Sequence, residues 1–222
     1  MRPSEERADR GARGGRPRDP QIDAAVLEAT LAVLDEVGYV HLTFEEIARR
    51  AETTKPAIYR RWPKRQHLVL TALAARLGAA RTPDTGCTLC DLNEGINVFI
   101  AAFQQIRPDV LGPLLADCTA DQRLRDAFMT SLFHPPRAAV ADMLNRAVAR
   151  GDLRDDIDPD LILDMLGSLV HYRALFGHAP TTDTQVERAV AALLHGIATN
   201  YPALLEHSRK LAGDPQTHPT HS

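Results

Sequence analysis

Seven positive side chains, Arg49, Arg50, Lys55, Arg60, Arg61, Lys64 and Arg65, crowd the window 49–65 against a single acid, Glu52. The 222-residue chain as a whole has a formal net charge of −3, so this is a local concentration and not a general bias. Such a patch suits a polyanionic partner. Residues 1–65 hold 13 Lys and Arg against 11 Asp and Glu, whereas residues 66–222 hold 13 against 18. That division fits a small nucleic-acid module carried on an acidic body that would not itself adhere to phosphate.

The other residues with chemical content are fewer. Cys87 and Cys90 have the spacing of a zinc half-site or a redox pair, but no complementary Cys or His pair accompanies them and Cys118 is far along the chain. Three cysteines in this length fit a reducing compartment and argue against a disulfide scaffold. The nine histidines form no ligand pattern, and His207, His218 and His221 sit in the tail. No phosphate-binding loop, dinucleotide fingerprint or nucleophile elbow is present, so no metal, no cofactor and no catalytic residue is expected.

The elements that must position the basic window follow from periodicity. Ile22, Val26, Ala29, Leu31, Ala32, Val33 and Leu34 make an apolar helical face over 20–37, and Gly38 stands where such a helix ends. Thr43 and Glu46 have the spacing of a capping box for a second helix carrying Phe44, Ile47 and Ala48 inward. Thr54 caps a third, over 55–61, with Pro56 in its first turn and Pro63 beyond its end. Two short helices joined by a tight turn, the second one basic, make a helix-turn-helix, with Phe44, Ile58 and Trp62 expected in its core.

Here the sequence becomes specific. Gly38-Tyr39, then TFEEIARRA, then TTKPAIYRRWPKRQHLV, resemble the DNA-binding domain of the TetR (tetracycline-repressor-like) family of bacterial transcriptional regulators, over residues 20 to about 75. The resemblance implies Thr43, Tyr59 and Arg65 as DNA-backbone contacts and Thr54, Lys55 and Ala57 as the face presented to base edges. Arg60, Arg61 and Lys64 join them from the basic run. Arg61 stands where the family more often has His, and its guanidinium suits a guanine. Arg16 and Arg18, in a basic arm over 1–19 with little to bury, would add contacts beside the main site; the alternative is a solvated tail.

Beyond the basic window the spacing predicts helices over 67–80, 91–106, 108–118, 121–133, 137–150, 159–176 and 184–201, with no strand. The fold class expected is all-α: an N-terminal three-helix helix-turn-helix domain (20–66), a linking helix (67–82) and a C-terminal helical ligand-binding and dimerisation domain (83–205). His134-Pro135-Pro136 reads as a break, and 206–222 as a flexible tail. Phe99, Phe103, Phe128, Met129, Phe133, Met143, Met165, His171 and Tyr172 are the candidate lining of the effector pocket that the resemblance puts in this body, the alternative for each being plain core. The stretches 159–176 and 184–201 are apolar around much of their circumference, so each has either two buried faces or one face for a second copy. Leu169, Tyr172, Phe176, Val186, Val190, Leu193, Leu194 and Ile197 are the candidate dimer residues, since the family pairs its last two helices across a two-fold axis.

The expected function is a DNA-binding transcriptional regulator, a repressor released from operator DNA by a small-molecule effector, acting as a homodimer. No apolar run reaches the ~18–20 residues of a membrane span, and the charged N-terminus lacks a signal core, so a cytoplasmic protein is expected. Two other readings remain open on sequence: a structural DNA-binding protein without an effector, and a helical enzyme localised by its basic N-terminus. Against the enzyme stands the absence of any nucleophile, base and orienter at a recognisable spacing.

Overall fold

The computed structural model describes residues 20–212. Arg16 and Arg18 lie outside the described residues. Helices α1 (Pro20–Val37), α2 (Phe44–Arg50) and α3 (Lys55–Tyr59) form the N-terminal bundle, and α4 (Arg65–Leu77) runs from it into the body. The body comprises α5 (Thr88–Gln104), α6 (Pro108–Ala120), α7 (Gln122–Phe128), a π-helical turn (Met129–Phe133), α8 (His134–Ala149), α9 (Pro159–Phe176), α10 (Asp183–Ile197) and α11 (Tyr201–Ala212). Among the described residues there is no strand, only an isolated bridge between Leu153 and Ala198.

Val26, Val33, Leu34, Phe44, Ile47, Ile58 and Trp62 are buried together, so the small domain puts Phe44 and Trp62 in its own core as expected. Trp62 remains satisfied there because its indole N–H donates to Thr71 Oγ1 of α4 at 3.2 Å. In the body α5 is central, packed by α8, α9, α10 and α11. None of the described helices is long and apolar enough to cross a membrane.

Several boundaries differ from those expected, each for a local reason. Cys87 caps α5, its sulfur accepting from the Cys90 amide at 3.2 Å, so the helix begins three residues earlier than the apolar pattern suggested. The two cysteines are joined as a disulfide across this first turn, contrary to the expectation from cysteine usage. Pro135 and Pro136 break nothing. They occupy the first turn of α8, where a missing N–H is harmless, and the π-helical turn joins α7 to α8 without a loop.

The tail is helical as far as Ala212. Pro202 opens α11 instead of closing the helix before it, Asn200 Oδ1 accepts from the Ala203 amide at 3.1 Å, and Leu204 is buried.

Gly38 ends α1 in the left-handed region (φ 73°), its amide donating to Leu34 carbonyl at 3.0 Å. A Cβ there would stand 2.9 Å from Asp109 Oδ2 of α6. The carboxylate can swing aside, whereas the backbone cannot, so Gly38→Ala is expected to lose about 1–2 kcal/mol through left-handed strain. Thermal denaturation checks this, and an unchanged melting temperature would show that the turn relaxes.

Candidate nucleic-acid interface

The α2-turn-α3 unit is held by its own charges. Thr43 Oγ1 accepts from the Glu46 amide at 3.3 Å, but the Glu46 carboxylate does not return to the cap. It instead accepts from Arg49 (2.6 and 2.9 Å) and Arg50 (2.6 Å), which together hold its pKa down to about 2, Arg49 contributing most. The capping box is therefore half formed. Arg50 also grips Glu36 of α1 at 2.6 and 2.7 Å, so this arginine ties α2 to the bundle.

The outer face of α3 presents Thr54, Pro56, Tyr59 and Arg60 to solvent, with Lys55 and Ala57 half-buried between them. Thr54 caps the helix, its hydroxyl accepting from the Ala57 amide at 3.4 Å. The Tyr59 ring stands edge-on to Phe44, centroids 4.6 Å apart, which fixes the direction of its hydroxyl. Lys55 pairs with Glu45 of α2. Arg60 is the one cation of the window without a carboxylate partner among the described residues.

Arg61 lies elsewhere. Helix α3 ends at Tyr59, and the following turn carries Arg61 towards α1, where its guanidinium pairs with Asp23 and donates to Ala57 carbonyl at 3.1 Å. Its side chain is only 11% exposed. It is thus withdrawn from the face on which base reading was expected.

Lys64 and Arg65 reach back to the body. Lys64 Nζ lies 2.7 Å from Asp121, which also caps α7, and Arg65 lies 3.6 Å from Asp117 of α6. Asp117 accepts from the Tyr39 hydroxyl at 2.6 Å and from Gln66 Nε2 at 2.7 Å, and these two bonds are the main reason its carboxyl stays below the usual range. Burial, with the Asp117 contact, pushes the Tyr39 hydroxyl well above the ordinary phenol range. The Arg65 guanidinium lies 4.5 Å above the centre of the Tyr39 ring. The two cations expected to grip DNA backbone are, in this state, held by carboxylates at the α6–α7 corner.

Between α5, α8 and α9, Phe99, Phe103, Phe133 and His171 line a partly open cavity of about 240 Å³ with Pro136, Leu163 and Gly167; Arg137 and the exposed Asp164 and Ser168 form its rim. The other five residues considered for a pocket are absent from its lining. Phe128 and Met143 are buried core, and Met129 packs on its edge. Met165 and Tyr172 face outward on α9, 52% and 58% exposed, because the inward stripe of that helix is Ile162, Leu163, Leu166, Gly167 and Val170. A second pocket of about 280 Å³ opens between Leu77–Arg81, α5 and the π-helical turn.

The outward face of α9 is an apolar stripe of Leu161, Met165, Tyr172, Leu175 and Phe176. The residues considered on α10 are not part of it: Val186, Val190, Leu193, Leu194 and Ile197 are all buried within the protomer. What α10 exposes includes Glu187, Arg188 and His195 together with the small residues Ala192 and Gly196. Of the expected dimer set, Tyr172 and Phe176 are exposed and Leu169 is half-exposed.

Residues 26–72 match the family model for bacterial regulatory proteins of the tetR family, and residues 82–193 match that for the tetracyclin repressor-like C-terminal domain. The chain belongs to the TetR family. It is similar to the DNA-binding transcriptional repressor TetR of Mycobacteroides abscessus, 30% identical over 77% of this chain and 90% of that protein. It also resembles the uncharacterized regulator YdeS of Bacillus subtilis, 26% identical over 82% of this chain and 93% of that one. Among solved structures, the TetR family transcription regulator SCO0332 superposes with a TM-score of 0.63 at 28% identity, covering 80% of this chain and 99% of that one. The protein is therefore a helix-turn-helix transcriptional regulator with a helical C-terminal domain.

Three features of this TetR-family regulator escaped the sequence reading. Asp117 and Asp121 are partners of the basic window more than 50 residues away, and nothing local marks them. Asp121 does carry the signal of an N-cap, which says where a helix starts but not which lysine its other oxygen meets. Arg137, at the cavity edge between Asp160 (2.9 Å) and Asp164 (2.6 Å), carries no signal at all.

Proposed function

We propose that this regulator is a homodimeric repressor whose α3 helices enter successive major grooves of operator DNA and whose body cavity takes the effector that releases it. The observation that carries the reading is the position of Lys64 and Arg65 and the acids they meet. They follow the helix-turn-helix directly, and the acids that hold them, Asp121 and Asp117, belong to the C-terminal helical body. Thr43, Tyr59 and Arg60 are assigned to phosphate, with Lys64 and Arg65 once they leave their carboxylates. Thr54, Lys55 and Ala57 are assigned to base edges. Phosphate contacts position and base contacts specify.

The coupling follows from the packing. Phe103, near the end of α5, lies against both the cavity and the turn into α6, so a ligand pressing on it bears on the helix that carries Asp117. An effector shifts the equilibrium only as far as it prefers one arrangement over the other. Mobility-shift and footprinting experiments with the full chain on the DNA beside its own gene test the whole reading: protected half-sites related by a two-fold axis are expected, and absence of any bound site genome-wide would remove it.

A smaller test addresses the corner itself. Asp121→Asn keeps the α7 cap and removes the charge that holds Lys64. Operator affinity is expected to rise about two- to fivefold, the range of an exposed ion pair. Unchanged affinity, by fluorescence anisotropy at fixed salt, would mean the bridge does not compete with DNA.

A further inference from the structure

One residue of the cavity wall, His171, has a ring nitrogen without a partner, and its geometry determines what it can accept. His171 Nδ1 lies 2.6 Å from the Gly167 carbonyl one turn back on α9. A carbonyl oxygen only accepts, so Nδ1 carries the proton and the neutral ring presents a lone pair at Nε2. Nε2 has almost no accessible surface and no hydrogen-bond partner, so a ligand reaches it only as a covering side chain turns aside. Burial also pushes the imidazole pKa down, which favours this neutral form. The ring stands among three phenylalanines, its centroid 3.9 Å from that of Phe103, 6.1 Å from Phe133 and 6.5 Å from Phe99.

The remaining polar side chains at the cavity are already engaged. Arg137 is neutralised by Asp160 and Asp164, and the Ser168 hydroxyl donates to Met165 carbonyl at 3.2 Å. A charged ligand would therefore lose its hydration without meeting an uncompensated opposite charge. A neutral aromatic with one hydroxyl would stack edge-on and face-on against the phenylalanines and satisfy Nε2. A cavity of about 240 Å³ falls just below the ~300–1,000 Å³ usual for ligand sites, so it suits no more than one or two fused rings.

We infer that the effector belongs to the neutral hydroxy-aromatic class, the phenols and naphthols, with its hydroxyl donating to His171 Nε2. This rests on the reading of the cavity as the effector site. The probes are 2-naphthol, 2-methoxynaphthalene, naphthalene and 2-naphthoate, titrated calorimetrically into the full-length chain at neutral pH. The methoxy compound keeps ring and oxygen and lacks only the donor. 2-Naphthol is expected to bind about tenfold more tightly than 2-methoxynaphthalene or naphthalene, the scale of one buried hydrogen bond, and more tightly still than the carboxylate. In His171→Phe that preference is expected to vanish while naphthalene still binds.

Equal binding of the naphthol and its methyl ether to the wild-type chain overturns the ligand class and leaves the cavity as an effector site. Tighter binding of 2-naphthoate, or a preference that survives His171→Phe, overturns it likewise. Failure of all four probes to bind overturns the cavity reading together with the class. The wild-type comparison stands on its own if the variant does not fold.

Discussion

Substituting both Met165 and Phe176 by aspartate is expected to yield a folded monomer with operator affinity at least 100-fold weaker. Both side chains are mostly exposed in the protomer, 52% and 71%, so neither change opens a cavity in the core. Both lie on the stripe that includes Leu161 and Tyr172, and the Tyr172 and Phe176 rings already touch, tilted with centroids 5.0 Å apart, to form one apolar surface. A contiguous exposed patch of this kind on a globular protein marks an interaction site. A two-fold axis through it would bring each stripe against itself.

Placing four carboxylates in that contact leaves like charges facing each other without partners. The DNA effect is larger than the loss of any contact to DNA. Two linked recognition helices engage two half-sites with an effective concentration that raises affinity by ~100–10,000-fold, and the monomer forfeits it. Sedimentation and anisotropy read the two consequences separately. A variant that remains dimeric, or a monomer that binds the operator as before, would overturn this assignment of the interface.

The second expected result sets adjacent arginines apart. Arg60→Ala should weaken binding to all sequences alike, by about tenfold at low salt, and should reduce the salt slope by about one, since an unpaired exposed cation at the end of α3 has phosphate as its natural partner. Arg61→Ala should leave sequence preference unchanged. Its guanidinium is nearly buried against Asp23 and the α3 carbonyl of Ala57, so its loss strips Asp23 of a partner and loosens α1 from the recognition helix. A stability loss of about 1.5–3 kcal/mol is expected, typical of a hydrogen bond to a charged group. Selection from a randomised operator library with both variants distinguishes the roles. An altered preference in Arg61→Ala would mean that the side chain leaves Asp23 to read a base.

These two residues also show how far a sequence can be read. Both are arginines in one basic run, and composition treats them alike. Their separation depends on α3 ending at Tyr59, two residues before the expected limit, which rotates position 61 towards α1. The body divides in the same way. The periodicity of 159–176 fixed its helix to the residue and implied two apolar faces, and the structure has both: Ile162, Leu163, Leu166 and Val170 inward, Leu161, Met165, Tyr172 and Phe176 outward. Periodicity does not say which face turns inward, so on sequence Met165 and Tyr172 are as eligible for the pocket as for the surface. On α10 the apolar residues form one inward stripe, and only packing against α5 decides that none remains for a partner.

The helix-turn-helix was legible because its signals are local: a cap, a turn, a proline in a first turn, and apolar residues at a spacing that one short helix either satisfies or does not. Family membership was legible for the same reason, over the segment where those signals are dense. Tertiary structure alone decided what the charges do. Six of the seven cations in the window 49–65 are paired, two of them with acids of the body, Asp117 and Asp121, because an ion pair depends on distance in space and leaves no trace in spacing along the chain. The unpaired Nε2 of His171 is of the same kind: a histidine in an apolar helix is visible in the sequence, but the direction of its lone pair is set by a carbonyl one turn away and by three phenylalanines from two other parts of the fold.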